Sequence, residues 1–225
     1  IWYVNAANAV SGNGASWACA FQNVQDAINA ASSGHQIWVA AGTYLPTKDP
    51  FGNASPTDPR DKTFYLKDGV ALYGGFAGTE TMRSQRNWTT NVTTFSGDIG
   101  TAGDNTDNCY HVVLSVSDGS TTVLDGFTVT NGNANNAANS ITVESRLITG
   151  ERGAGMNNRT TIPTVNNCMF TANQGTLGVG MYNNASNLTI TDCSFTNNTG
   201  THSGAGMRNE SSSPAITNCT FSGNT

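Results

Sequence analysis

The chain has 225 residues, with 10 basic and 15 acidic side chains and a net charge of −5; charged residues make up 11% of it, against the ~25% usual for globular domains. That balance excludes nucleic acid as a partner, which wants a basic stripe, and gives no attraction to anionic membranes. No run of apolar residues is long enough for a spanning helix, so direct membrane insertion of this segment is excluded as well.

Trp2 and Val4 begin a first strand, and Ser11 to Ser16 form a Gly/Asn/Ser turn. Phe21, Val24, Ala27, Ile28 and Ala31 then fall at helical spacing. This predicts one helix, read as a cap over the end of a strand stack whose edge and core would otherwise lie open. Gln36 to Tyr44 is the first full strand. Pro46 to Arg60, rich in proline, reads as a loop leaving the stack, its Lys48, Asp49, Asp58 and Arg60 taken as solvated surface. Thr63 to Gly75 returns as two strands. Thr79 to Thr90, carrying Arg83, Arg86 and Trp88, is an irregular crossing, after which Thr94 and Phe95 resume the ladder.

Between residues 98 and 108, Asp98, Asp104 and Asp107 stand with Asn105 and Asn108, the oxygen chemistry a hard cation such as calcium requires. The spacing is not that of an EF-hand, and Asx turns explain the cluster equally well. His111 to Val116 and Thr122 to Thr130 are two further strands. From Asn131 to the next matching asparagine, Asn173, is 42 residues where a repeat needs about 25, so a loop is inserted near 133–152, holding Glu144, Arg146, Glu151 and Arg152. Loops on one side of a repeat array are where binding is usually found.

From Val165 onward the chain says nearly the same thing three times. Cys168, Cys193 and Cys219 lie 25 and 26 residues apart, and the triplets Phe170/Phe195/Phe221 and Met156/Met181/Met207 keep that offset. A period of this size marks a repeat architecture whose units bury their apolar sides against one another. Apolar residues alternate within each unit, as at Leu188 and Ile190 or Cys193 and Phe195, which is strand periodicity. Turn residues bound each short strand, so the expected fold is all-β, a parallel β-helix (solenoid) with an N-terminal capping helix. The chain is expected to be a single domain over 1–225, with 1–36 as the cap and 37–225 as the coils.

Equal positions should stack in such an array. Asn173, Asn198 and Asn224 form one expected amide ladder, and Asn158, Asn183 and Asn209 another. If Met156 and its equivalents point inward, the glycines before them leave a bare outer strip, flanked by the column Asn157, Tyr182 and Arg208. Tyr182 and Arg208 are therefore the candidate ligand-binding residues, a stacking ring and a charge of the kind that sugars or protein partners use. The three stacked cysteines read as buried thiols, leaving Cys19 and Cys109 to pair or stay free.

The phrases GAGM and GVGM, paired with FTAN, FTNN and FSGN, resemble the GGA[IL] and FxxN repeats of chlamydial polymorphic outer-membrane proteins. More broadly the chain resembles bacterial right-handed parallel β-helix proteins of the pectin-lyase-like superfamily, as do SWACAFQNVQDAINAA, VALYGGFAGTET and VLDGFTVTNGN near its front. The resemblance implies a right-handed coil, a secreted or cell-surface location, and glycans or surface and secretion proteins as partners. The chain ends at FSGNT, halfway through a repeat, so it is expected to be the front piece of a longer protein.

Three classes of function stay open on this reading: a non-catalytic adhesin, stalk or presentation scaffold, a polysaccharide-binding module, and a polysaccharide lyase or hydrolase. Catalysis finds little material in the sequence. The lysines are confined to Lys48, Lys62 and Lys67, the three clean repeats hold one inner-strand acid, Asp192, and His35, His111 and His202 are scattered, each read as a surface or turn residue. No catalytic residue is assigned.

Overall fold

The computed structural model describes residues 1–225; the chain is mainly β, with one α-helix, and its strands pair almost entirely in parallel. Three sheets carry the structure. The first holds seven strands, Trp2–Val4, Gln36–Ala40, Ala71–Phe76, Val123–Asp125, Thr164–Asn166, Thr189–Thr191 and Ala215–Thr217. The second holds six: Gly42–Tyr44, Thr93–Ser96, Phe127–Thr130, Met169–Thr171, Ser194–Thr196 and Thr220–Ser222. Five form the third: Phe64–Tyr65, Val113–Val116, Met156–Arg159, Met181–Asn184 and Met207–Glu210. Spatial order follows chain order in every sheet, because the chain visits the third, first and second sheets in rotation.

A strand's neighbour is therefore its own equivalent one circuit later. Met156 pairs with Met181 and Met181 with Met207, Phe170 with Phe195 and Phe195 with Phe221, and Val165 with Ile190 and Ile190 with Ile216. The repeat spacing of the sequence is the register of the sheets.

Sharp corners separate the sheets, and each turns on a residue in the left-handed region. Asn167, Asp192 and Asn218 (φ 50°, 53° and 52°) turn from the first sheet to the second, and Thr160, Ala185 and Ser211 leave the third at φ 50–52°. A β-branched residue such as Thr160 adopts this conformation at a cost; the ladders on either side hold it there. At the first of these corners the side chains stack too, with Asn167 Nδ2 donating to Asp125 Oδ1 at 2.9 Å and Asn218 donating to Asp192.

The interior is one apolar body of 28 buried residues running from Val4 and the helix to Cys193 and Phe195. Phe170, Phe195 and Phe221 stack with centroids 4.9 and 4.8 Å apart and planes 6° from parallel, the separation set by strand spacing. Cys168 and Cys193 are buried and unpaired beside them. Cys19 is exposed and Cys109 buried, and they too are free thiols.

Both asparagine ladders are formed. Asn173 Nδ2 donates to Asn198 Oδ1 at 3.0 Å and Asn198 Nδ2 to Asn224 Oδ1 at 3.0 Å; Asn158 to Asn183 and Asn183 to Asn209 repeat the pattern at 2.9 and 2.8 Å. In the first ladder each amide also closes the preceding corner, as when Asn198 Nδ2 reaches Phe170 O at 2.9 Å. The left-handed residue at that corner is the one before the ladder asparagine, Ala172 or Asn197. The side chain, rather than the backbone freedom of asparagine, thus explains the choice of residue.

Helix α1, Val24–Ala30, starts at Asn23, whose side chain accepts from Gln25 N. It buries Val24, Ala27 and Ile28 against the end of the stack. Gln25 replaces the missing strand: its Oε1 accepts Tyr65 N at 3.0 Å and its Nε2 donates to Tyr65 O at 3.3 Å. The strand edge at Phe64–Tyr65 is closed by one side-chain amide, as a cap requires.

Three expectations need correction. The insertion near 133–152 is not a loop but an antiparallel hairpin, Asn136–Val143 with Arg146–Gly150, turning at Glu144 and Ser145. Its Val143 and Ile148 pack on Leu114 and Val116, the outer side of the third sheet. There is no bare glycine strip either: a Cβ on Gly155 would stand 3.2 Å from Phe170 Cδ1 and 2.4 Å from Gly180 O. The strand begins only at Met156, so alternation cannot be extrapolated back through the corner at Gly153. Finally, His111 is buried, its Nδ1 3.1 Å from Gly153 O, and burial pushes its pKa down to about 4.

Candidate binding site

Tyr182 and Arg208 do neighbour each other in the third sheet, on the side away from the core. Tyr182 is nevertheless 0% exposed. The Arg159 guanidinium lies over its ring at 4.8 Å and Arg152 at 5.5 Å, while its hydroxyl takes a hydrogen bond from Arg152 Nη1 at 3.0 Å and donates to Glu210. Arg152 comes from the base of the hairpin, just after its second strand. Tyr182 is thus a packed anchor and offers no free stacking face; Arg208 is partly buried and donates to Ser203. Packed in this way, Tyr182 and Arg208 do not form the ligand site expected of the pair.

The three aspartates make the turn contacts that stood beside calcium as an explanation of the cluster. Asp104 is exposed and its Oδ1 accepts from Thr106 N and Thr106 Oγ1, at 2.9 and 2.7 Å. Asp98 accepts from Gly103 N, and Asp107 Oδ2 from Thr101 N at 2.7 Å. These are Asx-type turn contacts. No group of three or more His, Cys, Asp or Glu side chains is arranged to hold a metal ion, so the all-carboxylate set Asp98, Asp104 and Asp107 is not assembled as one centre.

The early loop's charges are structural rather than merely solvated. Asp49 is buried and its carboxylate takes Phe51 N, Asn53 N and Asn53 Nδ2. Arg60 lies 4.1 Å over the Tyr110 ring and donates to Asn108 O, Asn133 O and Asn135 Oδ1. Lys48 pairs with Asp26 at 2.9 Å, and Lys67 donates to Asn29 O and Ala31 O at the end of α1. Two of the lysines that a lyase could have used are committed to packing the cap.

What stands out instead comes from the crossing segment. A concavity of about 500 Å³ is lined by Gln36, Arg83, Ser84, Arg86 and Trp88. Arg86 pairs with Asp125 at 2.8 Å and lies 4.8 Å from the Trp88 ring and 5.2 Å from Tyr73. Arg83 also lies over Tyr73, 4.5 Å from the ring centroid, with no carboxylate in ion-pair contact. Trp88 is 38% exposed, and beyond it a second groove of about 330 Å³ continues past Val92 to Met169 and Asp192. An exposed indole beside an uncommitted guanidinium presents a flat apolar face and a bidentate donor to one ligand. The signal for this site in the sequence is the clustering of Arg83, Arg86 and Trp88 in a chain with only 10 cationic residues, which by itself points to no role.

A further pocket of about 500 Å³ lies between α1, the early loop and the hairpin tip, with Tyr65, Lys67, Asp68, Asp118 and Glu144 on its walls. Asp118 is 4% exposed, and burial raises its carboxyl to about 7, with Asp68 and Glu144 adding to the effect. Ser115 Oγ donates to Asp118 Oδ2 at 2.6 Å and meets Thr161 Oγ1 at 2.8 Å, while Tyr65 donates to Glu144 at 2.9 Å. The carboxyl thereby holds the left-handed corner at Ser117 to the next circuit. Comparison with protein-family models, curated proteins and solved structures gives no match.

Proposed function

We propose that the chain is a right-handed parallel β-helix of pectin-lyase-like type, serving as a non-catalytic scaffold on the outside of a bacterial cell: an adhesin, stalk or presentation module. The observation that carries this reading is the in-register repetition of the interior. Phe, Met, Cys and Asn recur at the sheet register, and the polar members are spent on one another in the ladders. Such a stack sets distance and rigidity, and its loops are free to vary on a fixed frame. The one acid that sequence analysis placed on an inner strand, Asp192, sits at a corner and is likewise committed, accepting from Asn218. The low charge and the Asn, Thr, Ser and Gly polarity suit an exported solenoid.

A second reading, polysaccharide binding, is favoured by the Arg83, Arg86 and Trp88 concavity. The stacking face and the free guanidinium there suit an anionic sugar. On a glycan array the protein should retain acidic oligosaccharides, and Trp88→Ala should weaken that retention about fivefold to tenfold, as expected for loss of one stacking contact. Arg83→Ala should remove the preference for acidic over neutral glycans. Retention unchanged in both variants would eliminate this concavity as the contact.

A further inference from the structure

The loop between the second and third sheets, residues 97–112, leaves buried oxygen atoms that the fold itself does not use. Asn108 is 5% exposed, its side chain makes no hydrogen bond, and its Oδ1 is sealed from solvent. The neighbouring Asp107 has one oxygen engaged by Thr101 N and the other, Oδ1, buried without a partner. An unsatisfied buried acceptor is costly; Asn157 and Asn158 each leave one too, but within a strand, whereas Asn108 lies in a loop beside a cleft lined by oxygens.

Asn108 lines a cleft of about 190 Å³ together with Asp98, Asn105, Asn131 and Gln174. Every polar side chain on this lining carries an oxygen, and none is cationic. Asp98 reaches it with a carboxylate already fixed by Gly103 N, so the loop is held in shape from within. From across the cleft, Gln174 Oε1 takes Asn105 Nδ2 at 2.8 Å, and Asn133 Nδ2 donates to Asn105 O, which ties the loop to the following circuit.

We propose that this loop binds one hard divalent cation of the calcium class, with Asp98 and Asn108, both on the cleft lining, as its side-chain ligands. Carboxylate and amide oxygens without sulfur or imidazole select a hard ion. Calcium is favoured over magnesium because it accepts six to eight oxygens in irregular arrangements, including neutral amides and water, whereas magnesium demands a near-ideal octahedron. One carboxylate and one amide are few charges for such a site, which places the affinity in the weak range of extracellular calcium modules. The ligand set differs from the one suggested by aspartate count alone: Asp104 and Asp107 are off the cleft lining, and Asn108 is on it. The ion would lock the loop to the third and second sheets, independently of whatever the scaffold presents.

Calorimetric titration of the chelator-treated protein with calcium chloride tests this. One equivalent should bind with a dissociation constant of about 10⁻⁴ to 10⁻³ M, with magnesium much weaker. Asn108→Ala and Asp98→Asn should each weaken binding about tenfold or more, Asn108→Asp should tighten it by adding charge, and Asp104→Asn should leave it unchanged. Far-ultraviolet circular dichroism establishes that each variant is folded, and Asn108→Asp, which keeps the side chain's shape, reports on the site even if Asn108→Ala does not fold. Absence of binding to the wild-type protein up to about 10 mM calcium would overturn the proposal. So would binding that is lost in Asp104→Asn or insensitive to both Asp98→Asn and Asn108→Asp.

Discussion

Phe195→Ala should lower the unfolding free energy by about 3–5 kcal/mol, the range for truncating a buried aromatic side chain. The ring is fully buried, with Phe170 4.9 Å away on one side and Phe221 4.8 Å away on the other. A cavity between two rings whose backbones are fixed at strand spacing has little means to collapse, so the loss belongs at the upper part of the range. Phe221 occupies the same register position but is 47% exposed. Phe221→Ala should therefore cost about 1 kcal/mol, since less area leaves water there on folding. Urea denaturation of the pair measures the contrast, and equal losses at both positions would mean that the aromatic column is not the interior of the stack.

Asn198→Ala is the second large effect, about 3–4 kcal/mol, although it removes only a polar side chain. The Asn198 amide donates to Phe170 O and Asn224 Oδ1 and accepts from Asn173 N and Asn173 Nδ2, at 2.9, 3.0, 3.2 and 3.0 Å. Truncation strands several buried groups at once, each costing about 1–3 kcal/mol when left without a partner. Asn198→Asp should be worse at neutral pH, because the new carboxylate faces the acceptors Phe170 O and Asn224 Oδ1. Burial would raise its pKa, so the penalty is present above that raised value and is relieved as the pH falls through it. Thermal unfolding at pH 7 and pH 4 checks the sign: an Asp variant that loses rather than gains ground on the Ala variant in acid would refute the ladder's donor and acceptor assignment.

The columns were legible because period and register are the same quantity in this architecture. Once Phe170, Phe195 and Phe221 are aligned in the sequence, their stacking follows, and the ladders through Asn173 and Asn158 follow with them. The helix was legible from its spacing, but the way Gln25 substitutes for a strand at Tyr65 was not, since that depends on where the cap lands. The hairpin was missed because its first strand is rich in Asn and Ala; the signal was the alternation through Ile141, Val143, Leu147 and Ile148 around Glu144 and Ser145. That omission carried into the binding site. Alternation places Tyr182 outside the core, yet nothing local to Tyr182 announces that Arg152 and Arg159 will cover it. A period gives the inner face of a repeat array directly, whereas its outer face depends on insertions that break the period.

This division bears on the scaffold reading. Residues fixed by the repeat are satisfied within it, and the groups with free chemical capacity, Arg83, Trp88 and the oxygens around Asn108, lie on segments outside the regular circuits. The rigid part and the recognising part are encoded separately, so loop substitutions should alter binding while leaving the stack intact.

The most direct test of the non-catalytic scaffold is a turnover measurement. The protein is incubated with pectins, alginates and other acidic polysaccharides, with and without calcium, while unsaturated product and new reducing ends are followed. The account predicts neither, even for a glycan that the protein binds. Product that forms with the wild-type protein and disappears with Asp118→Asn or Asp98→Asn would contradict it, and would make this chain an enzyme.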